Sequence, residues 1–292
     1  MINDDQMAKK DEDSERGFNS VGASRIIAVA NQKGGVGKTT TTINLATALA
    51  AVGKRILVLD LDPQGNASTG LGVDQSERSI NAYHVMIGEA SIDDAILDTQ
   101  IPGLSVVSSG VDLSGAEIEL IEVENRLFRL KLALLDSLGR YDYIFIDCPP
   151  ALGLLTVNAL NAAHAVLVPL QCEFFALEGL SHLVRTIERI KTSYNPGLEI
   201  QGIVLTMFDA RNNLSDAVAS DVREFFGAIV YNTVIPRNVR VSEAPSYGKP
   251  VLLYDVGCAG SQAYIHLASE VLKREKIVSS MKDGKKDKKE IG

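Results

Sequence analysis

A glycine-rich segment early in the chain has the residue types needed to bind phosphate. It consists of Lys33, Gly34, Gly35, Val36, Gly37, Lys38, Thr39 and Thr40. Glycines let backbone N–H groups curl around phosphate oxygens, and the N-terminus of a following helix adds a favourable dipole. The ammonium group of Lys38 can reach β- and γ-phosphates, and the Thr39 hydroxyl can ligate Mg²⁺. The segment therefore predicts a nucleotide-binding loop, and a glycine turn that binds nothing is the alternative.

Three aspartates are placed where they could complete such a site. Asp60 and Asp62 follow the apolar run 56–59, and Asp147 follows the run 143–146. Parallel α/β sheets bind ligands at the carboxyl ends of their strands. A site for Mg²⁺ and a nucleoside triphosphate needs carboxylates near the metal and near the attacking water. Because an aspartate after a strand also commonly serves as a cap, it is the nearby loop that favours the catalytic interpretation.

The apolar pattern predicts the elements that would hold these residues. Residues 26–30 form a continuous apolar run, typical of a strand buried on both faces, and residues 39–52 lack Gly and Pro and are typical of a helix. Further strands are predicted at 56–60, 104–107, 143–146, 165–168, 200–206 and 229–235. Further helices are predicted at 79–87, 91–97, 114–138 (with a break allowed), 153–163, 177–194, 213–226 and 260–276. This alternation predicts an α/β fold with a doubly wound, mostly parallel sheet flanked by helices, in a single domain.

Charge is distributed unevenly along the 292 residues, whose net charge is −8. We predict a disordered acidic leader over 1–23, a P-loop nucleotide-binding domain over 24–276 and a flexible lysine-rich tail over 277–292. A globally acidic chain is not typical of nucleic-acid binding proteins. Contact with DNA would therefore need a local basic patch, or a dimer that concentrates one.

Cysteine and histidine content excludes several kinds of site. The three cysteines and four histidines show neither C-x-x-C nor H-x-x-x-H spacing, which argues against a His/Cys zinc site. No apolar run of the sequence reaches the 18 residues expected of a membrane span, and the N-terminus lacks the apolar segment of a signal peptide. We expect a cytoplasmic protein that does not bind membranes.

The nucleotide loop departs from the usual G-x-x-x-x-G-K-[ST] pattern, because Gln32 occupies the first glycine position and Lys33 precedes Gly34. With this deviant Walker A motif the chain resembles the ParA/Soj family of chromosome-partitioning ATPases. The resemblance runs from about Arg25 to Lys276. It rests on NQKGGVGKTT at 31–40, DLDPQGN at 60–66, DCPP at 147–150, QCE at 171–173, ALEG at 176–179 and PRNVRVSEAP at 236–245.

The resemblance implies a slow, Mg²⁺-dependent ATPase and assigns roles within its site. Lys38 and the rest of the loop would bind ATP. Asp62 would position or activate the attacking water. Asp147 would hold Mg²⁺ through a bound water, with Thr39 as a direct ligand and Asp60 as a further candidate.

The resemblance also implies a homodimer that forms with ATP and binds double-stranded DNA. Lys33 would reach across the dimer to the partner's phosphates, as an arginine finger does. Pro236 and Asn238 fall in the family's adenine-contacting segment. Arg211 and Arg240 fall at positions that bind DNA phosphates without sequence preference, although isolated arginines are usually just solvated. A ParB-type centromere-binding protein would stimulate hydrolysis, and the protein would be associated with the nucleoid.

Three other functions stay open at this level. A MinD-like membrane-positioning ATPase would need an amphipathic C-terminal helix, and residues 277–292 lack a sustained apolar face. An iron–sulfur reductase of the nitrogenase type would need cluster-ligating cysteines, which the positions of the three cysteines do not support. An ATP-gated DNA-binding or repressor module with little catalysis would not need Asp62.

Overall fold

One sheet of eight strands lies at the centre of the part of the chain that the computed structural model describes, residues 24–286. The strands are β1 Arg25–Val29, β2 Ile56–Asp60, β3 Ile96–Asp98, β4 Leu104–Val107, β5 Tyr143–Asp147, β6 Ala165–Gln171, β7 Glu199–Phe208 and β8 Val230–Pro236. Their order across the sheet is β3-β4-β2-β5-β1-β6-β7-β8, and every neighbouring pair is parallel except β3 and β4. The predicted doubly wound, mostly parallel α/β fold is confirmed.

Helices cover both faces of this sheet. They are α1 Lys38–Ala50, α2 Asn66–Gly70, α3 Ala82–Ile87, α4 Ile92–Ala95, α5 Leu113–Glu119, α6 Arg129–Leu134, α7 Leu154–Ala162, α8 Ala176–Ser193, α9 Asn213–Phe226, α10 Val239–Glu243, α11 Val251–Tyr254 and α12 Ala259–Lys286. Among residues 24–286, no helix combines the length and the apolar content needed to cross a membrane.

The two faces of β1 explain why residues 26–29 are apolar without interruption. Ile26 and Ala28 point into a core that also contains residues of α7, α8 and α9, whereas Ile27 and Val29 point into a second core with residues of α1 and α12. Successive side chains of a strand face opposite sides of the sheet, so a strand covered on both sides has no polar positions. This packing holds the end of β1, where the nucleotide loop begins, in a fixed place.

The edge of the sheet differs from the prediction. Residues 96–98 are a strand, whereas the sequence predicted a helix over 91–97. α4 starts at a capping box formed by Ser91 and Asp94 and ends after one turn. The chain then pairs antiparallel with β4, because sheet pairing at an edge outweighs the helix propensity of so short a segment.

Three other regions show where the predicted elements begin and end. The helix predicted over 114–138, with a break allowed, is interrupted between α5 and α6, where Asn125 has a left-handed backbone with φ +60°. The segment 236–256, predicted as irregular, contains α10 and α11. α12 continues to Lys286, so the part of the predicted flexible tail at 277–286 is helical. That segment has no proline and only one glycine, which allows the helix to continue. The predicted leader and residues 287–292 lie outside the described residues.

Candidate functional site

The nucleotide loop connects β1 to α1 in a conformation that only glycine adopts easily. Gly35 has φ +73° and Gly37 has φ +88°, both in the left-handed region where a side chain would strain the backbone. The hydroxyl of Thr206, on β7, donates to the carbonyl of Val36 at 2.8 Å and fixes the middle of the loop. The amide of Asn31 donates to the Pro169 carbonyl at 2.7 Å and fixes its start. The loop is therefore preorganised, with its N–H groups free to face a ligand at the N-terminus of α1.

The two lysines of the loop have different environments. Lys38 is buried, and its Nζ donates to the carbonyl of Lys33 at 3.3 Å. Burial lowers the pKa of Lys38, an effect that the carboxylate of Asp147 opposes. The side chain of Lys33 is half exposed and forms an ion pair with Glu173. One lysine thus lies inside the loop, and the other points away from it towards solvent.

Asp147 lies at the end of β5 and is bound by the first turn of α1. The Thr39 hydroxyl donates to its Oδ2 at 2.7 Å, and the Thr42 hydroxyl donates to its Oδ1 at 3.1 Å. Thr39 and Thr42 are three residues apart and so share one face of the helix. The sequence analysis named Thr39 but missed Thr42. The run of four threonines at 39–42 could have indicated it, because Thr42 lies three residues after Thr39 and therefore on the same face of the helix.

Asp60 is opposite Asp147 in the pairing of β2 with β5, and it has its own fixed partners. Its Oδ2 accepts from the backbone N–H and the hydroxyl of Ser68 at 2.8 and 2.7 Å, and its Oδ1 accepts from the N–H of Asp62 at 3.3 Å. Both carboxylate oxygens of Asp60 are therefore engaged in holding α2 and the turn that carries Asp62. These contacts favour a supporting role for Asp60 over the metal-binding role that the sequence suggested.

The concentration of buried carboxylates at this edge of the sheet raises their proton affinity. Burial raises the pKa of Asp147, and the neighbouring charge of Asp60 adds to the increase. Burial likewise raises the pKa of Asp60, against the hydrogen bonds from Ser68. A divalent cation would relieve this repulsion.

The available donor set fits Mg²⁺ bound together with a nucleotide. Thr39 and Asp147 supply oxygen ligands, the type that Mg²⁺ prefers, and this ion usually keeps waters and phosphate oxygens in its remaining positions. Within residues 24–286, no cluster of three or more His, Cys, Asp or Glu side chains could hold a metal without such help.

A cavity of about 190 Å³ lies beside the loop, in a position suited to a nucleoside. It is lined by residues that include Gly37 and Thr40 of the loop region, and by Met207, Pro236 and Asn238. The cavity thus brings both predicted adenine-contacting residues next to the phosphate loop. Asn238 also caps α10, because its Oδ1 accepts from the N–H groups of Arg240 and Val241 at 2.9 and 3.4 Å. This use of Oδ1 leaves the NH₂ of Asn238 as the group better placed to meet a base.

Met207 is a residue of this cavity that the sequence analysis missed. Its φ of +48° is uncommon for a side chain of this size. Such backbone strain is often found at ligand sites and is invisible in a sequence.

The two arginines predicted to bind DNA follow neighbouring strands. Arg211 lies just after β7 and Arg240 lies on α10, just after β8. The two segments are joined where the N–H of Arg237 donates to the Phe208 carbonyl at 3.0 Å. We call the surface formed by Arg211 and Arg240 with their carboxylate neighbours the arginine surface.

Each arginine of this surface is paired with carboxylates from its own segment or a neighbouring one. Arg211 binds Asp209 through two hydrogen bonds of 2.9 Å, and its side chain is 89% exposed. Arg240 binds Glu243 at 3.0 Å and lies 3.6 Å from Asp255. The hydrogen bond and the charge of Asp209 raise the pKa of Arg211, and Glu243 does the same for Arg240. Both arginines stay cationic.

Two of the three cysteines lie in the core. Cys148 and Cys172 are buried, and burial raises the pKa of both thiols. They behave as small apolar groups of the core.

Comparison with known proteins agrees with this site. A family model described as an AAA domain matches residues 24–200. The chain is 63% identical to the chromosome partitioning protein ParA of Caulobacter vibrioides over 254 residues, which cover 86% of this chain and 95% of that protein. It is 51% identical to the sporulation initiation inhibitor protein Soj of Bacillus subtilis over 247 residues, which cover 85% and 98%.

A solved structure of similar fold carries the ligands that this site suggests. It is described as cobyrinic acid a,c-diamide synthase from Mycobacterium smegmatis with a bound ATP analogue and magnesium. It superposes with a TM-score of 0.76 and 37% identity, covering 87% of this chain and 96% of that one. The loop, the aspartates at the strand ends and the relatives that share them lead to one family. This chain belongs to the ParA/Soj family of chromosome-partitioning ATPases.

Proposed function

We propose that this protein is an ATPase that partitions DNA, and that residues 24–276 form its ATPase domain. ATP would close two copies into a sandwich dimer, the dimer would bind double-stranded DNA without sequence preference, and a ParB-type partner would stimulate hydrolysis. The protein would act in the cytoplasm, on the nucleoid. The cargo is a chromosome or a plasmid. The observation that carries the proposal is the contact of Thr39 with Asp147 beside a left-handed glycine loop, in a chain 63% identical to a ParA protein.

The ATP site would be formed by the loop and the cavity next to it. The N–H groups of residues 34–40 and the ammonium of Lys38 bind phosphate oxygens, while Pro236 and Asn238 contact the adenine. Thr39 would hold Mg²⁺ directly, and Asp147 would hold it through a bound water. The ion would supply positive charge that stabilises the phosphate oxygens.

Hydrolysis would depend on Asp62. The carboxylate belongs to a turn that Asp60 supports through the Asp62 N–H, and its Oδ1 accepts from the N–H of Gln64 at 3.0 Å. A carboxylate held at a strand end beside the phosphate loop can orient the attacking water and accept its proton. The presence of Asp62 favours an ATPase over a module that only binds ATP.

Dimerisation would use the exposed face around Lys33. Lys33 pairs with Glu173, and the adjacent Phe174 and Phe175 side chains are strongly exposed and in edge-to-face contact. Exposed aromatic groups next to a functional site favour an interface, because burying them removes apolar surface from water. In the dimer, Lys33 would exchange Glu173 for a phosphate of the partner's ATP.

DNA binding would use the arginine surface. Phosphates would replace Asp209 and Glu243 as partners of Arg211 and Arg240, and Lys249 is a further cation in the same region of the sequence. A dimer places four such arginines on one duplex, which compensates for an otherwise acidic chain.

The test is DNA binding by the full-length protein with ATP, with ADP and without nucleotide, at fixed salt and with two unrelated DNA sequences. We expect binding with ATP alone and equal affinity for both sequences. Binding that is independent of nucleotide, or confined to one sequence, would contradict the proposed coupling. Sedimentation with anionic liposomes serves as the control for a MinD-like function, and we expect no ATP-dependent sedimentation.

A further inference from the structure

A buried arginine, Arg78, lies behind the turn that carries Asp62. Its side chain is only 8% exposed. One guanidinium nitrogen, Nη1, donates to the carbonyls of Gly65 and Ser109 at 3.3 and 3.2 Å. The other, Nη2, donates to the Thr69 hydroxyl at 2.9 Å and the Val73 carbonyl at 2.7 Å. One side chain thus fastens together the Asp62 turn, the end of α2 and the segment that follows β4.

The partners of Arg78 are neutral, which makes its burial unusual. Among residues 24–276, whose side chains the structure describes, Arg78 forms no ion pair, and its Nε has no hydrogen-bond partner. Burying a cation without an anion is unfavourable unless several hydrogen bonds replace its hydration. The guanidinium of Arg78 supplies a rigid, planar set of hydrogen-bond donors that reaches three segments at once, which no neutral side chain offers.

The contact with Gly65 links Arg78 to Asp62. Gly65 ends the turn, since its N–H donates to the Asp62 carbonyl at 2.9 Å. Its φ of +61° would strain any other residue, and a Cβ on Gly65 would lie 2.5 Å from Nη1 of Arg78. The Thr69 hydroxyl also donates to the Gly65 carbonyl, at 3.0 Å. The far end of the turn is therefore held by Arg78 and Thr69, while Asp60 holds the near end.

We propose that Arg78 is a positioning residue for ATP hydrolysis. It fixes the turn 62–65 relative to α2 and to the segment after β4, and so sets the position of the Asp62 carboxylate. The inference rests on the proposed ATPase function. This role also explains why a forked side chain is needed, because loss of the contact with any one of the three segments would let the turn move. Misplacement of a reacting group by about 1 Å can slow a reaction about 100-fold.

The test compares Arg78→Gln and Arg78→Lys with the wild type in the full-length protein, using Mg-ATP. For both variants we expect kcat to fall by about 10- to 100-fold, with KM and the ATP dissociation constant within about twofold of wild type. Lys keeps the charge but presents one ammonium group in place of the fork, so it should not restore the rate. Arg189→Gln, on the exposed face of α8, is the matched control and should behave as wild type.

Two readouts separate positioning from a loss of folded protein. The number of ATP molecules bound per chain should stay at the wild-type value, so that the fall in kcat cannot come from an inactive fraction. Thr69→Val removes an exposed partner of Arg78 with little change of shape, and it should lower kcat by about threefold even if Arg78 variants fail to fold. Asp62→Ala is assayed in parallel. If it hydrolyses ATP normally, the proposed role of Asp62 fails. Suppose that Asp62→Ala is inactive. The role of Arg78 then fails if Arg78→Gln and Thr69→Val retain the wild-type kcat, or if Arg78→Lys has the wild-type kcat while Arg78→Gln does not.

Discussion

The nucleotide site and the arginine surface hold their charged groups in opposite ways. Lys38 and Asp147 are buried, at 6% and 0% exposure. Lys38 donates to the Lys33 carbonyl of its own loop, and Asp147 accepts from Thr39 of α1. Arg211 and Arg240 are exposed and pair with nearby carboxylates. Electrostatic interactions are strong where water is excluded, whereas exposed ion pairs contribute little because water and salt screen them. The first region is therefore preorganised for one ligand, and the second can exchange its partners for any phosphate.

This contrast predicts that changes in the nucleotide site impair ATP binding or hydrolysis at any salt concentration, whereas DNA binding by the arginine surface falls steeply as salt increases. Lys33 falls between the two, because it belongs to the loop in sequence but is half exposed. The expected loss of function therefore decreases from Asp62 to Lys38 to Lys33.

Asp62→Ala should have the largest effect. Removal of a group that orients and deprotonates the water should lower kcat by about 1000-fold, while ATP binding and dimerisation survive. The variant should accumulate as an ATP-bound dimer on DNA. Phosphate release and DNA binding measured on the same sample test this, and rapid turnover by the variant would remove Asp62 from the mechanism.

Lys38→Ala should weaken ATP binding by about 100-fold, because the loop loses the buried cation that meets the phosphates. Isothermal titration with Mg-ATP measures this directly. Lys54→Ala, a lysine remote from the loop in the sequence, is the control and should bind as wild type. Equal affinity in Lys38→Ala and wild type would mean that the backbone N–H groups alone hold the phosphates.

Lys33→Ala should show a smaller and more selective defect. Binding of ATP to the monomer should be unchanged, and ATP-dependent dimerisation should weaken by about tenfold, since one partly exposed charge contact is lost per site. Light scattering at several protein concentrations distinguishes the two steps. A normal ATP-induced dimer would show that Lys33 does not act across the interface.

Much of the nucleotide site was predictable because its residues are fixed by local patterns. A glycine loop between an apolar strand and a helix has few possible conformations, so Gly35, Gly37 and Lys38 could be placed from the sequence alone. The strand-end position of Asp147 followed from the alternation of strands and helices. These features depend on neighbours in the chain, and the structure has them where the pattern indicated.

The features that the sequence did not reveal depend on distant contacts. The strand β3 forms because it pairs with β4. The hydrogen bond from Ser68 to Asp60 forms because the fold places α2 next to the end of β2. Arg78 reads as an ordinary surface residue after an exposed turn, and only the fold buries it. The pairing of Arg211 with Asp209 is an exception, because only one residue separates the two.

We propose that ATP brings the arginines of two copies onto one DNA duplex, and a salt titration of DNA binding in the presence of ATP tests this proposal. If each of four arginines neutralises one phosphate, the slope of log K against log salt is about −3.6, and binding weakens about 150-fold from 50 to 200 mM. Arg240→Glu and Arg211→Glu should each abolish binding without changing ATP affinity, while Arg189→Glu, an equal change of charge on α8, should leave it intact. A wild-type slope near zero, or normal DNA binding by Arg240→Glu and Arg211→Glu, would show that DNA binds elsewhere on the protein.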